Sequence, residues 1–174
     1  MKKKDCFYYI GNLYDGWLSD DWVALLKAVA KVESNNNPSL KPSPKDAYGC
    51  FRITKIKARD VWNRYPELKE IACNFEDFWL EVRTNQSINT IVAYYTLRDN
   101  YFIIRKYSQK VWDDNDAIKL SVASYRIGKN KIIDLLEKAQ GKKKTAEELL
   151  ENFPEIKEYV EKVWKFYKKY KEEL

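Results

Sequence analysis

The chain has 174 residues and a mass of 20.8 kDa, enough for one domain with a substantial core and too few for two ordinary ones. Hydrophobic residues make up 45% and charged residues 33%, with five Gly and five Pro, which excludes a disordered chain and long flexible linkers. The net charge of +6 favours anionic partners, and the absence of His excludes a Ser-His-Asp triad, a Cys-His nucleophile pair and any His metal ligand.

Acid–base chemistry therefore falls to carboxylates, Lys or Tyr. Six Trp, thirteen Tyr and seven Phe exceed what a core requires, so some rings are expected to line a surface groove. Rings stack on sugar faces and on nucleobases alike, so this excess chooses neither ligand. The cysteines Cys6, Cys50 and Cys73 are odd in number and lack CxxC spacing, which points to no zinc site and no dense disulfide framework. One pair could bridge in an oxidising compartment, and spacing does not say which. No cofactor is implied.

Lys2, Lys3 and Lys4 resemble a signal-peptide start, but Asp5 and the mixed stretch Cys6 to Asp15 hold no continuous apolar region. Neither an export signal nor a membrane span is read. Residues 1–20 are expected to form an extension packing on a domain that occupies 21–174. From Trp22 to Glu33 the spacing predicts a helix with the buried stripe Trp22, Leu26, Val29 and then Glu33. Asn35, Asn36, Asn37 and Pro38 end it at once. Glu33 is thus expected to face inward at a helix C-terminus, where lost water and the free carbonyls of the last turn both disfavour a charged carboxylate. A carboxyl group held protonated can serve as a general acid. A helix-end glutamate that curls to solvent or pairs with a basic neighbour is the ordinary alternative.

The segment 35–46, with Pro38, Pro42 and Pro44, reads as an irregular loop. Tyr48 to Ile53 is expected to be extended or turned, and a helix follows near Ile56 to Arg64 until Pro66. Asn85 to about Tyr107 predicts a long central helix with Ile88, Ile91, Val92, Tyr95 and Phe102 on its apolar positions. Asp113 to Asn115 offer N-caps for a helix carrying Ile118, Val122 and Tyr125 and stopped by Gly128; another runs from Lys129 to Ala139 and stops at Gly141. The Lys142 to Lys144 run reads as a solvated loop. Thr145 and Glu148 form a capping box, and Pro154 starts a final helix with Ile156, Tyr159, Val160, Val163 and Tyr167. The predicted class is mainly α.

In order, Glu33-Ser34, Asn37-Pro38, Gly49-Cys50-Phe51-Arg52-Ile53, Ser87-Ile88 with Tyr94, Ser124-Tyr125-Arg126-Ile127-Gly128, and Pro154 with Tyr159-Val160 and Val163 resemble the blocks of the soluble lytic transglycosylase catalytic domain. That lysozyme-like family is related to goose-type lysozyme, and the resemblance covers roughly Trp22 to Tyr167. No single block is specific; their order carries the likeness. The resemblance implies a lysozyme-like fold and cleavage of peptidoglycan glycan strands between N-acetylmuramic acid and N-acetylglucosamine. Glu33 would protonate the glycosidic oxygen and then deprotonate the muramoyl 6-hydroxyl, giving a 1,6-anhydro product without a second carboxylate. Ser34, Tyr48, Arg52, Tyr94, Tyr125 and Arg126 carry over as cleft positions.

Asp46 lies in the loop where goose-type hydrolases keep acidic residues and is a candidate for positioning a water; a solvated loop Asp is the other reading. Core packing competes for Tyr94 and Tyr125, and local backbone bonding competes for Ser34. Cys50, at an apolar family position, reads as a small core residue. Three departures stand out: Arg52 replaces a Gln, Arg126 an Asn, and Ser87 the Asn that opens the long helix. An Arg beside Glu33 would favour its ionised form, whereas an Arg aimed at substrate would bind anionic groups. Hydrolysis in the same cleft and a glycan-binding descendant without turnover are the neighbouring readings. Nucleic-acid binding is not expected, because the basic residues are interspersed with 26 acidic ones and no motif supports it.

Overall fold

Side-chain caps set most helix starts in the computed structural model, which describes residues 4–14, 18–108, 113–139 and 144–174. Lys2, Lys3, Asp15, Gly141, Lys142 and Lys143 of the sequence reading lie outside them. Asp5 accepts from the Tyr8 amide and opens α1 (Cys6–Tyr14). Ser19, Thr54 and Asn74 likewise open α2 (Asp20–Ser34), α3 (Lys55–Arg64) and α4 (Phe75–Thr84), each accepting an N–H three residues on. A 3-10 turn, Pro66–Glu70, separates α3 from α4. The long helix α5 spans Gln86–Ser108, and Asp113 caps α6 (Asp114–Ile127). Gly128, at φ 90°, separates α6 from α7 (Lys129–Lys138). Thr145 opens α8 (Ala146–Leu149) through the Glu148 amide at 3.2 Å, and Pro154 stands at the first position of α9 (Pro154–Glu172).

The chain is mainly α, as the apolar periodicity predicts. Among the described residues the β structure is a single antiparallel bridge, Tyr48 with Ile53. Among the described residues no helix is long and apolar enough to cross a membrane.

Two compact units are present, Met1–Tyr95 with Phe166–Leu174 and Thr96–Lys165. Their boundaries fall inside α5 and α9. In the first unit Ile10, Leu26, Val29, Phe51, Ile53, Val61, Phe78 and Val92 are fully or almost fully buried. Helix α1 packs on α2 with Cys6 and Ile10 completely buried, so the N-terminal segment contributes to this core. In the second unit Leu120, Val122, Ile132, Leu150 and Val163 are buried.

Two helices depart from the sequence reading. Helix α4 was not anticipated, although Phe75, Phe78, Trp79 and Val82 follow helical spacing behind the Asn74 cap. Phe102, expected on the buried stripe of α5, is 59% exposed. Beyond Tyr95 the covered face of α5 turns to Leu97, Asn100 and Ile104, which leaves Phe102 on the far side. Asn100 is committed there, with its Nδ2 donating to the Ser121 carbonyl at 3.4 Å.

A polar cluster ties α8 to α6. Asp116 accepts from the Ala146 amide at 2.9 Å, and Lys119 donates to Glu147 at 2.7 Å while lying over the Trp164 ring. Burial raises the Asp116 carboxyl, with help from the charge of Asp113, against the opposing Ala146 amide. Burial works against the Glu147 carboxylate too, but the hydrogen bond and charge of Lys119 outweigh it, and the group titrates below the ordinary glutamate value. A lowered folded-state value means that the Glu147 contribution is present above the unfolded value and lost as pH falls through the folded one. We predict that Glu147→Gln costs about 0.5–1 kcal/mol near neutrality, a small value because the carboxylate is partly exposed, and that the difference from wild type vanishes on acidification below the ordinary glutamate range. Urea unfolding at several pH values measures it.

Candidate functional site

Glu33 occupies the last turn of α2, whose end is fixed by three asparagines with three different tasks. Asn35 and Asn36 both adopt left-handed backbone, at φ 53° and 60°. Their amides donate to the Lys31 carbonyl at 2.9 Å and the Ala30 carbonyl at 3.3 Å, so the helix stops by a left-handed cap one residue after Ser34. The Asn36 side chain also docks α1, accepting from the Phe7 amide at 3.1 Å and donating to Asp5 at 3.1 Å. Asn37 accepts from the Ser39 amide at 3.0 Å and turns the chain into the proline loop.

The stripe Trp22, Leu26, Val29 and Glu33 is fully buried in its middle and emerges at both ends. Glu33, expected to face inward, is partly buried, since α2 ends one residue later and the stripe nears the surface there. Ser34 is the buried neighbour, 3% exposed, with its hydroxyl donating to the Ala30 carbonyl at 3.0 Å. Local backbone bonding, the alternative reading of Ser34, is therefore what the structure shows.

Cys6 and Cys50 form a disulfide, while Cys73 is an exposed free thiol. The Cys6 sulfur lies 3.6 Å from the Ser34 hydroxyl, so the end of α2 abuts the bridge that ties α1 to the Gly49–Arg52 turn. The reading of Cys50 as a small core residue holds in part: it is fully buried, but as half of a disulfide.

The Tyr48–Ile53 hairpin is closed by paired backbone bonds of 3.0 and 2.8 Å and held by two side-chain amides from the start of α5. Asn89, completely buried, accepts from the Phe51 amide at 3.1 Å and donates to the Tyr48 and Val82 carbonyls at 2.9 and 3.0 Å. One turn earlier, Gln86 accepts from the Cys50 amide at 3.1 Å and donates to the Pro38 carbonyl at 3.2 Å. Gly49, at φ 78°, is required by this contact, since a Cβ there would stand 2.5 Å from Asn89 Nδ2.

The remaining predicted residues divide between the two units. In the first, the half-exposed Tyr48 ring meets Trp79 edge to face at 5.6 Å, and the Arg83 guanidinium lies over both rings at 5.8 and 5.2 Å. Trp79 and Arg83 sit on α4 and were missed with it; their signal was the Asn74 cap and the aromatic spacing behind it. Tyr94, 8% exposed, packs edge to face on Trp22 at 5.6 Å. Arg52 has left-handed backbone at φ 51° and donates from Nη1 to the Lys41 carbonyl at 2.6 Å, pinning the proline loop. Asp46 is exposed, also left-handed at φ 53°, with its amide bonded to Ser43. In the second unit Tyr125 is 3% exposed, and Arg126 is exposed with its guanidinium 5.0 Å from the centre of the Tyr159 ring.

Among the described residues no group of His, Cys, Asp or Glu is placed to hold a metal ion. Comparisons of the chain with protein-family models, with curated proteins and with solved structures give no match.

Two predictions test the scaffold. Replacing Asn89 by Ala strips partners from an amide and two carbonyls and is expected to cost about 3 kcal/mol. Reducing the disulfide, or making Cys6→Ser with Cys50→Ser, is expected to cost about 2–4 kcal/mol by releasing a long loop in the unfolded chain. Both are read from urea melts.

Proposed function

We propose that this chain is a peptidoglycan-cleaving enzyme of the lytic transglycosylase type with a lysozyme-like fold, in which Glu33 serves as both acid and base. The observation that carries the reading is how three of the family-like blocks are joined. The turn bearing Glu33-Ser34 abuts the Cys6–Cys50 disulfide, which enters the Gly49–Ile53 block. Gln86 links that block to Pro38 of the Asn37-Pro38 block. The same hairpin carries Tyr48, partly exposed with the Arg83 guanidinium over its ring and backed by the buried Trp79.

In this reading a glycan strand lies along the hairpin with its glycosidic oxygen at Glu33. The carboxylic acid donates its proton to that oxygen as the bond to the muramoyl anomeric carbon breaks. The carboxylate then takes the proton of the muramoyl 6-hydroxyl, whose oxygen closes on the anomeric carbon. No water enters the product. Glu33 is partly buried, and a bound glycan would complete the exclusion of water from it. Arg52 already serves the proline loop and Arg126 a tyrosine ring, so both replaced amides have intramolecular work in this chain. The disulfide supports action in an oxidising compartment, where peptidoglycan is also found.

The deciding experiment is mass spectrometry of the soluble products from purified peptidoglycan incubated with wild type or Glu33→Gln. Anhydro-muropeptides from wild type, reduced roughly 100-fold or more by the substitution, are expected. Reducing-end products lost in Glu33→Gln would instead make the enzyme a muramidase, with Asp46→Asn as the next variant. No product from either folded protein would overturn the enzymatic reading in favour of a glycan-binding descendant of the fold.

A further inference from the structure

A second surface of the first unit combines lysines with partly exposed rings. Lys27 lies 5.4 Å from the centre of the Phe7 ring, and Phe7 meets Tyr170 edge to face at 5.2 Å. Tyr170 stacks on Phe166 at 5.9 Å, and Lys31 lies 6.0 Å from Phe166. Lys169 flanks Tyr170 at 5.8 Å, so one continuous network joins α1, α2 and the end of α9. Beside it Lys4, two residues before α1, lies 5.2 Å from the Tyr8 ring, which is 43% exposed.

Two features distinguish this surface from an ordinary solvated face. First, four lysines lie on these rings, Lys4, Lys27, Lys31 and Lys169, while Asp5 bonds the Tyr8 amide, Asp21 pairs with Lys171 and the charge of Glu173 reaches Tyr170. A ring face brings no opposite charge, so a lysine over a ring adds to the local positive potential, whereas a paired carboxylate cancels it. Second, Phe7 and Phe166 remain partly exposed and Tyr8 more so, although α1 has Ile10 and Cys6 to anchor it. Lysines interleaved with Tyr and Phe at the surface match a bilayer interface, where rings settle at headgroup depth and the cations meet anionic lipid. On α2, Lys27 and Lys31 are turned about 120° and 160° around the axis from Glu33, so the two surfaces can be occupied independently.

We propose that the surface built from Lys4, Tyr8, Phe7, Lys27, Lys31 and Phe166 docks this protein peripherally on an anionic lipid bilayer. The test is sedimentation of the whole chain with vesicles of phosphatidylcholine alone, or with about a third phosphatidylglycerol, at low and high salt. Wild type is expected to partition onto the anionic vesicles only and to be released at about 1 M salt. Lys27→Gln with Lys31→Gln is expected to weaken partitioning roughly 25-fold, about fivefold for each charge. Tyr8→Ser should weaken it severalfold with the charge unchanged. Lys131→Gln with Lys138→Gln, on exposed positions of α7, removes the same charge and should leave binding near wild type. The proposal is overturned by absence of binding to anionic vesicles, by equal loss in the two lysine pairs, or by no effect of Tyr8→Ser. Partitioning is read without substrate, so the result is independent of whether the chain cleaves glycans.

Discussion

The carboxamide of Asn89 is the constraint on which the candidate site depends. A hairpin closed by a single bridge leaves backbone groups in its turn without sheet partners, and a buried unpaired amide or carbonyl costs about as much as a lost hydrogen bond. Asn89 satisfies one such amide in the turn, one carbonyl at its base and the Val82 carbonyl near the end of α4. A side chain with both donors and an acceptor is needed; neither Asp nor Leu could replace it. Gly49 follows as a consequence, since the amide fills the space where a Cβ would be. Gln86 extends the same device by one turn and brings in the proline loop. The disulfide then adds a covalent limit from the opposite side, through α1.

Much of the fold was legible because helix signals are local. Ser19, Thr54, Asp113 and Thr145 cap their helices through the residue three positions on, and the asparagine run after Glu33 ends α2 where the sequence indicates. Less of the site was legible, because its decisive contacts join distant residues. The resemblance draws attention to position 87, where the family amide is a serine, yet the amide that holds the hairpin is Asn89, on the same helix two residues later. Nothing in the spacing distinguishes a buried Asn that bonds residues about 40 positions away from one that faces water. The partner of Cys6 was illegible for the same reason, since three cysteines permit three pairings.

Charge at the replaced amides illustrates how context decides a residue's role. Sequence left open whether Arg52 would act on Glu33 or on a ligand. The structure gives its guanidinium a backbone acceptor in the proline loop, a role a planar donor fork fills well and a shorter neutral amide at that left-handed position would not reach in the same way. Arg126 is held over a ring of its own unit. Both cations are thus explained by folding, and the chemistry assigned to Glu33 does not depend on either.

Helix α2 therefore serves two surfaces at once. Its buried middle, Leu26 and Val29, anchors it in the core, and the stripe surfaces at Glu33, where the asparagine stop and the disulfide fix the carboxylate's approach. Its other side carries Lys27 and Lys31 toward the rings of α1 and α9. A rigid helix separates these roles geometrically, because side chains a half-turn apart cannot contact the same partner. Such a division would let the proposed docking and the proposed chemistry proceed without competing for one cleft. It also means that loosening α1, by reduction of its disulfide, would disturb both surfaces together: Cys6 borders Ser34 on one side of α1, and Phe7, the next residue, supports the ring network on the other.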